Sequence, residues 1–174
     1  SLDFTNTTRQ IILIGIARSM ILLSKYNIIN GNLQPENIFL DEHFYPHLTN
    51  FCTLKLNAYQ STIYSSPEFF ETLKFDRKSD VYSYSLILYE MITSKKPFSE
   101  LEKLSNFQKN KKIINNYRLT FSNSIKEKHQ TLIENCWSSN PSERPTFEEI
   151  FYKLSYDEEY YLENVDKEAI QKYI

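Results

Sequence analysis

Apolar residues crowd nearly every face of two stretches of this chain, a density that predicts two helices enclosed by the rest of the fold. The first spans Thr8 to Tyr26, and Thr7 with Gln10 three residues on has the spacing of a capping box at its start. The second spans Ser79 to Ser94 and carries Val81, Tyr82, Tyr84, Leu86, Ile87, Leu88, Tyr89, Met91 and Ile92. Such a helix belongs at the centre. Weaker amphipathic patterns predict a helix at about Leu104 to Asn116. Another should follow Ser124 and Glu127, presenting Ile125, His129, Leu132, Ile133, Cys136 and Trp137 on one face. Thr146 and Glu149 repeat the capping device before Phe147, Ile150, Phe151 and Leu154, and a last short helix runs from Asp166 to the end. Asn30 to Asn37 reads as a loop, with Asn-Gly and Pro35 as breakers. Ile38-Phe39-Leu40 and His47-Leu48-Thr49 are short β candidates around a turn, and Asn50 to Glu68 lacks periodicity and reads as a surface loop.

The bulk numbers narrow the classes. The 174 residues suffice for one domain with a core, and 41% hydrophobic with 24% charged residues is ordinary globular balance. A formal charge of -2 supplies no field for nucleic acid or an acidic membrane, and Lys109, Lys111, Lys112 and Arg118 read as a solvated face. Cys52 and Cys136 form no C-x-x-C pair, so they read as reduced thiols of a cytoplasmic protein rather than a disulfide or a zinc site. The apolar run Ile11 to Leu23, interrupted by Arg18 and Ser19, is too short to span a bilayer and reads as a core helix. No signal peptide is recognisable, which leaves the sequon Asn6-Thr7-Thr8 without meaning. With only two glycines, Gly15 and Gly31, the chain lacks a phosphate-cradling loop. Its start at Ser1 is that expected of a piece of something longer.

Several short motifs fall in a telling order. Asn30-Gly31-Asn32 is followed by Asn37, then Asn50-Phe51-Cys52, Ser66-Pro67-Glu68 and Ser79-Asp80-Val81-Tyr82-Ser83-Tyr84-Ser85. Cys136-Trp137, Pro141 and Arg144-Pro145-Thr146-Phe147 complete the set. The sequence resembles the protein kinases, whose catalytic loop H-R-D-x-x-x-x-N precedes D-F-G and A-P-E. Its last motifs are similar to tyrosine-kinase and tyrosine-kinase-like domains. The resemblance covers roughly residues 8 to 155 and implies a mostly α, protein-kinase-like C-terminal lobe, a helical lobe around a buried central helix with short β pairs. The N-terminal lobe, with its glycine-rich loop, β3 lysine and αC glutamate, is missing. Residues 1–156 form this lobe and residues 157–174 a C-terminal extension, which either docks a partner or packs on the chain itself through Val165, Ala169, Ile170 and Tyr173.

The chemistry implied by the resemblance is dismantled. Asn32 stands where a kinase has the aspartate that accepts the substrate hydroxyl proton, and an amide oxygen is far too weak a base for that. Losing a positioned base removes on the order of 10²- to 10⁴-fold in rate. Gln34 replaces the lysine near the transferred phosphate. The vestigial metal and nucleotide positions are Asn37, retained, and Asn50, where the metal-binding aspartate belongs, and two neutral amides offer Mg²⁺ no charge. Asparagine is nearly isosteric with aspartate, so the loop can keep its shape. Gly31 replaces the arginine that grips a phosphorylated activation loop, although Ser61, Thr62 and Tyr64 carry hydroxyls another kinase can modify or that simply face solvent.

The positions that still match have structural roles in the family. Glu68 and Arg144 would form a buried salt bridge tying the activation segment to the lobe. Asp80 would accept hydrogen bonds from the catalytic-loop backbone, or else serve as a simple helix N-terminal acid. Trp137 is expected to pack in the core near Arg144. These substitutions imply a pseudokinase that binds protein partners, an active kinase or its substrates, in the cytoplasm, without nucleic acid, membrane, metal or cofactor. The alternatives are a fragment of an ATP- and Mg²⁺-dependent kinase completed upstream, and a decaying gene copy. The coherent caps and apolar faces speak against the last.

Overall fold

A computed structural model describes residues 4–51 and 62–174 of the chain. Seven helices, α1 (Asn6–Lys25), α2 (Pro67–Thr72), α3 (Arg77–Thr93), α4 (Asn106–Ile114), α5 (Glu127–Cys136), α6 (Phe147–Tyr156) and α7 (Lys167–Tyr173), surround one core among the described residues. Strands β1 (Ile38–Leu40) and β2 (Pro46–Leu48) form an antiparallel pair in which Ile38 faces Leu48. The expected mostly α architecture is the one adopted. Strand β2 begins one residue earlier than the sequence implies, because Pro46 pairs with Leu40 at the end next to the turn.

Helix α3 is the central helix. An unbroken run from Ser79 to Tyr89 is buried, which explains why its sequence has no polar face. Asp76 caps it, accepting from Ser79 N while the Ser79 hydroxyl returns toward the cap. Tyr84 and Tyr82 lie wholly inside; the Tyr84 hydroxyl donates to Leu13 O at 3.0 Å, and the Tyr82 ring carries the guanidinium groups of Arg144 and Arg118 at 5.2 and 5.7 Å.

Helix α1 runs antiparallel to α6 and touches α3, α7 and β2. It reaches 20 residues, longer than its apolar run, so by length and composition it could cross a bilayer, contrary to the expectation from that run. Its buried residues, Ile12 to Ala17 and Met20, instead line the core. The cap at its start also differs from the one predicted. Thr5 accepts from Thr8 N, while Thr7 Oγ1 accepts from Asp166 N. Gln10 has a stronger use: its buried amide donates to Leu154 O and Tyr160 O and accepts from Leu162 N. A long-range network outcompetes the local box.

The Ser124–Glu127 box is likewise absent. Ser124 pairs with Ser122 inside a turn, and α5 starts at Glu127 after an uncapped Lys126. His129, Leu132, Ile133, Cys136 and Trp137 are all buried, and the His129 Nε2 donates to Tyr160 O at 2.9 Å. Trp137 stacks on Phe121 at 5.6 Å. The Thr146–Glu149 box forms as expected, and so does one at Ser105–Gln108.

Residues beyond Tyr156 fold back on the lobe. Tyr160, Tyr161 and Ile170 join the core, and Arg18 donates to the carbonyls of Tyr173 and Ile174. The approach is close at Gly15, where an added Cβ would overlap the Tyr173 hydroxyl and lie 2.5 Å from Pro46 Cγ. Only a hydrogen fits there.

Candidate functional site

The loop from Asn30 to Asn37 hangs from α3 by one carboxylate. Asp80 Oδ2 accepts from Asn30 N at 2.9 Å and Oδ1 from Gly31 N at 2.8 Å. Gly31 has φ 64°, a backbone conformation that suits a residue without Cβ. Burial drives the Asp80 carboxyl up to about 7, against the pull of the two N–H donors, with Asp76 adding to the rise. Asn30 is buried as well and its Oδ1 accepts from Asn32 N at 2.9 Å. Asn30 was not singled out from the sequence; its place two residues before Asn32, in an otherwise polar loop, was the available signal.

Four amide side chains then close on one another. Asn32 Nδ2 donates to Asn50 O and Gln34 Nε2 to Asn32 Oδ1, both at 2.9 Å. Asn37 Nδ2 donates to Asn32 O at 2.8 Å, and Asn50 Nδ2 to Asn37 Oδ1 at 3.0 Å. The hairpin sets this spacing, since Asn37 directly precedes β1 and Thr49-Asn50 directly follows β2; Thr49 N donates to Asn37 O at 2.9 Å. Asn50 sits at φ 52°, which asparagine tolerates better than most residues.

This arrangement brings Asn32, Gln34, Asn37 and Asn50 together and leaves them chemically neutral. The Asn32 carbonyl oxygen, where a base would act, already accepts from Gln34. The Asn37 oxygen, where a metal would bind, already accepts from Asn50. Among the described residues no group of three or more His, Cys, Asp or Glu could hold a metal ion. This donor set offers a hard cation such as Mg²⁺ no carboxylate charge.

Glu68 and Arg144 meet in a two-pronged ion pair, Nη1–Oε1 at 2.6 Å and Nη2–Oε2 at 2.8 Å. The Arg144 side chain is fully enclosed, and it also donates to Ser138 O and Lys78 O. Burial pushes the Glu68 carboxyl upward, but hydrogen bonds and charge from Arg144 outweigh it and the net shift is downward. Lys78 closes the cluster by donating to Arg144 O.

The segment before α2 departs from the surface loop expected of it. Tyr64, Ser65 and Ser66 are buried; the Tyr64 hydroxyl donates to Glu90 at 2.7 Å, and Ser83 Oγ donates to Tyr64 O. Tyr64 thus finds partners on α3 for its hydroxyl and its carbonyl, while Ser65 Oγ accepts from Thr62 N at 3.0 Å. Tyr64 is therefore neither solvated nor an accessible phosphate acceptor, and burial together with Glu90 raises its pKa. Cys52 and Ser61 lie outside the described residues. Arg118 also leaves the solvated face assigned to it, donating to Trp137 O and Ile113 O beneath the Tyr82 ring. A cleft of about 230 Å³ borders Gln34 and runs past Tyr64 and Phe98, and an apolar hollow of about 490 Å³ lies beside Phe39 and Met91.

Comparison with known proteins gives this geometry a context. The sequence model of the family described as protein tyrosine and serine/threonine kinase matches residues 3–154. Serine/threonine-protein kinase 12 of Arabidopsis thaliana is 32% identical over 157 residues, covering 81% of this chain and 34% of its own length. Dual specificity protein kinase shkB of Dictyostelium discoideum is 31% identical over 170 residues, 85% of this chain and 24% of its own. Human tyrosine-protein kinase FRK is 29% identical over 153 residues, 80% of this chain and 30% of its own. The chain thus spans about a third of the length of the plant and human relatives.

Proposed function

Since the chain belongs to the protein tyrosine and serine/threonine kinase family, we propose that it is a pseudokinase lobe of the tyrosine-kinase-like type, which binds proteins and does not transfer phosphate. One observation supports this: the side-chain amides of Gln34 and Asn32 pair at 2.9 Å and those of Asn50 and Asn37 at 3.0 Å, Asn32 Nδ2 donates to the Asn50 backbone carbonyl, and no carboxylate enters the network. Proton abstraction needs a base of suitable pKa within reach, and charge-neutralised phosphoryl transfer needs an anchored metal. Neither requirement is met by neutral amides.

What remains is a stable display surface. Asp80 holds the loop, the Glu68–Arg144 pair holds the segment before α2, and the cleft between Gln34 and Phe98 stays open beside them. A protein partner in the cytoplasm, either an active kinase or a kinase substrate, suits such a surface. ATP, Mg²⁺, nucleic acid and membrane have no part in this function.

The test is phosphate transfer from γ-labelled ATP to a peptide substrate mixture, with the whole protein including any upstream chain. Magnesium-dependent thermal stabilisation by ATP is measured alongside. The expected outcome is neither labelling nor a magnesium-dependent shift. Labelling that disappears when Asn32 or Asn50 is replaced by alanine would establish the rival function, an ATP-dependent kinase completed upstream.

A further inference from the structure

The most exposed large apolar side chain among the described residues is Phe107 of α4, at 78%. Helix α4 turns Ile113 fully into the core and leaves Phe107, Lys111 and Ile114 outside. Their spacing of four and then three residues places them on one face. Ile114 is itself 38% exposed, so two apolar side chains flank a lysine on that face.

Beside this stripe opens a cleft of about 510 Å³, lined by Leu104, Gln108, Lys111, Lys112, Asn115 and Tyr117 among others. Lys111 belongs to both the stripe and the cleft wall. Lys112 lies 5.4 Å from the centre of the Tyr117 ring, and the Tyr117 hydroxyl donates to Glu100 at 3.0 Å, which occupies that acid. Among the described residues neither Lys111 nor Lys112 forms an ion pair, and the cleft lining contains no carboxylate. Two unpaired cations beside two exposed apolar groups complement a ligand that is both acidic and apolar.

We infer that this face of α4 docks an acidic segment of a partner protein, whose large apolar side chain packs on Phe107 and Ile114 while its carboxylates lie along Lys111 and Lys112. A second copy of this chain is the poorer occupant. Glu158 and Glu159, in its acidic stretch after Tyr156, are already paired with Lys167 and Lys128 at 2.6 and 2.8 Å. The docking face shares no residue with the amide loop, so it stands or falls independently of whether the loop transfers phosphate.

The probe is a fluorescein-labelled peptide of glutamates with Phe and Leu at helical spacing, titrated into the intact protein and followed by anisotropy. Control peptides carry lysine for glutamate, or serine for the apolar residues. Saturable binding of the first peptide alone is expected, weakening as salt rises. Phe107→Ser and the double variant Lys111→Glu/Lys112→Glu should each lower affinity by about 10-fold or more, the effect of losing one interface anchor. Tyr152→Ser, an exposed aromatic on α6, should leave it unchanged, and circular dichroism verifies that each variant is folded. No binding at millimolar peptide, equal binding of a control peptide or a uridine oligonucleotide, or binding indifferent to the α4 variants would overturn the inference. Self-association abolished by Phe107→Ser would overturn it too, by giving the face to a second copy.

Discussion

Replacing Asn50 with aspartate restores, on paper, the metal-binding acid of an active kinase, yet the structure predicts damage. The substitution keeps the volume and the backbone, because aspartate tolerates φ near 52° about as well as asparagine does. What it removes is the Nδ2 donor that reaches Asn37 Oδ1 at 3.0 Å. A carboxylate oxygen would then face an amide oxygen, acceptor against acceptor. Asn37 cannot turn its amide to adapt without abandoning Asn32 O, to which its Nδ2 donates at 2.8 Å. Asn37 is only 7% exposed, so its orphaned oxygen gains little from water, whereas Asn50 is exposed and its new charge remains solvated. One lost hydrogen bond with a largely buried acceptor left over costs about 1–2 kcal/mol. For a chain of this size that lowers the melting temperature by roughly 2–8 °C. Urea unfolding in metal-free buffer measures it as a shift in midpoint at constant slope. An Asn50→Asp protein as stable as the parent, or more stable, would refute the claim that these amides are a self-satisfied unit.

Three other perturbations follow from the packing. Glu68→Gln and Arg144→Met should each cost about 3–5 kcal/mol, because each strands a group whose partner is enclosed. In urea the double variant should lose clearly less than the two losses added together, and simple additivity would disprove the coupling. For Asp80 the sign is fixed by its upward shift to about 7: the folded state holds the proton more tightly, so this group's contribution to stability falls as pH rises from about 4 to 7. Burial shifts His129 downward, giving the opposite slope below its ordinary 6.5, but that slope is common to the parent and to Asp80→Asn. Melting curves from pH 5 to 8 should therefore show a narrowing gap between parent and variant as pH rises, and a constant gap would count against the shift. Gly15→Ala should destabilise by about 1–2 kcal/mol despite alanine's better helix propensity, since the Pro46 ring cannot rotate away. Adding Tyr173→Phe should recover part of that loss in thermal melts, and no recovery would place the clash elsewhere.

Helix α3 was legible as enclosed because its apolar residues leave no polar face, whereas α1 was legible as a helix but buries only part of its surface, leaving Arg18 and Leu22 exposed. The amide site was legible as a list, since Asn32, Gln34, Asn37 and Asn50 stand at motif spacings that resemble a kinase loop. The tilt of those amides toward one another was not. It depends on the hairpin of β1 and β2 returning Asn50 to Asn37, thirteen residues along the chain.

Local patterns failed where distant groups offered better partners. Gln10 has the spacing of a cap, but its amide serves Leu154 and Leu162, more than a hundred residues away. Arg118 and Tyr64 look like surface residues until Tyr82 and Glu90 on α3 take them in. Periodicity marked most helical segments and their apolar faces, though not α2, and the motif resemblance marked the catalytic positions from which charge is missing. Only the tertiary structure decided which polar groups are satisfied by which, because a buried hydrogen bond depends on distance in space and is blind to distance along the chain.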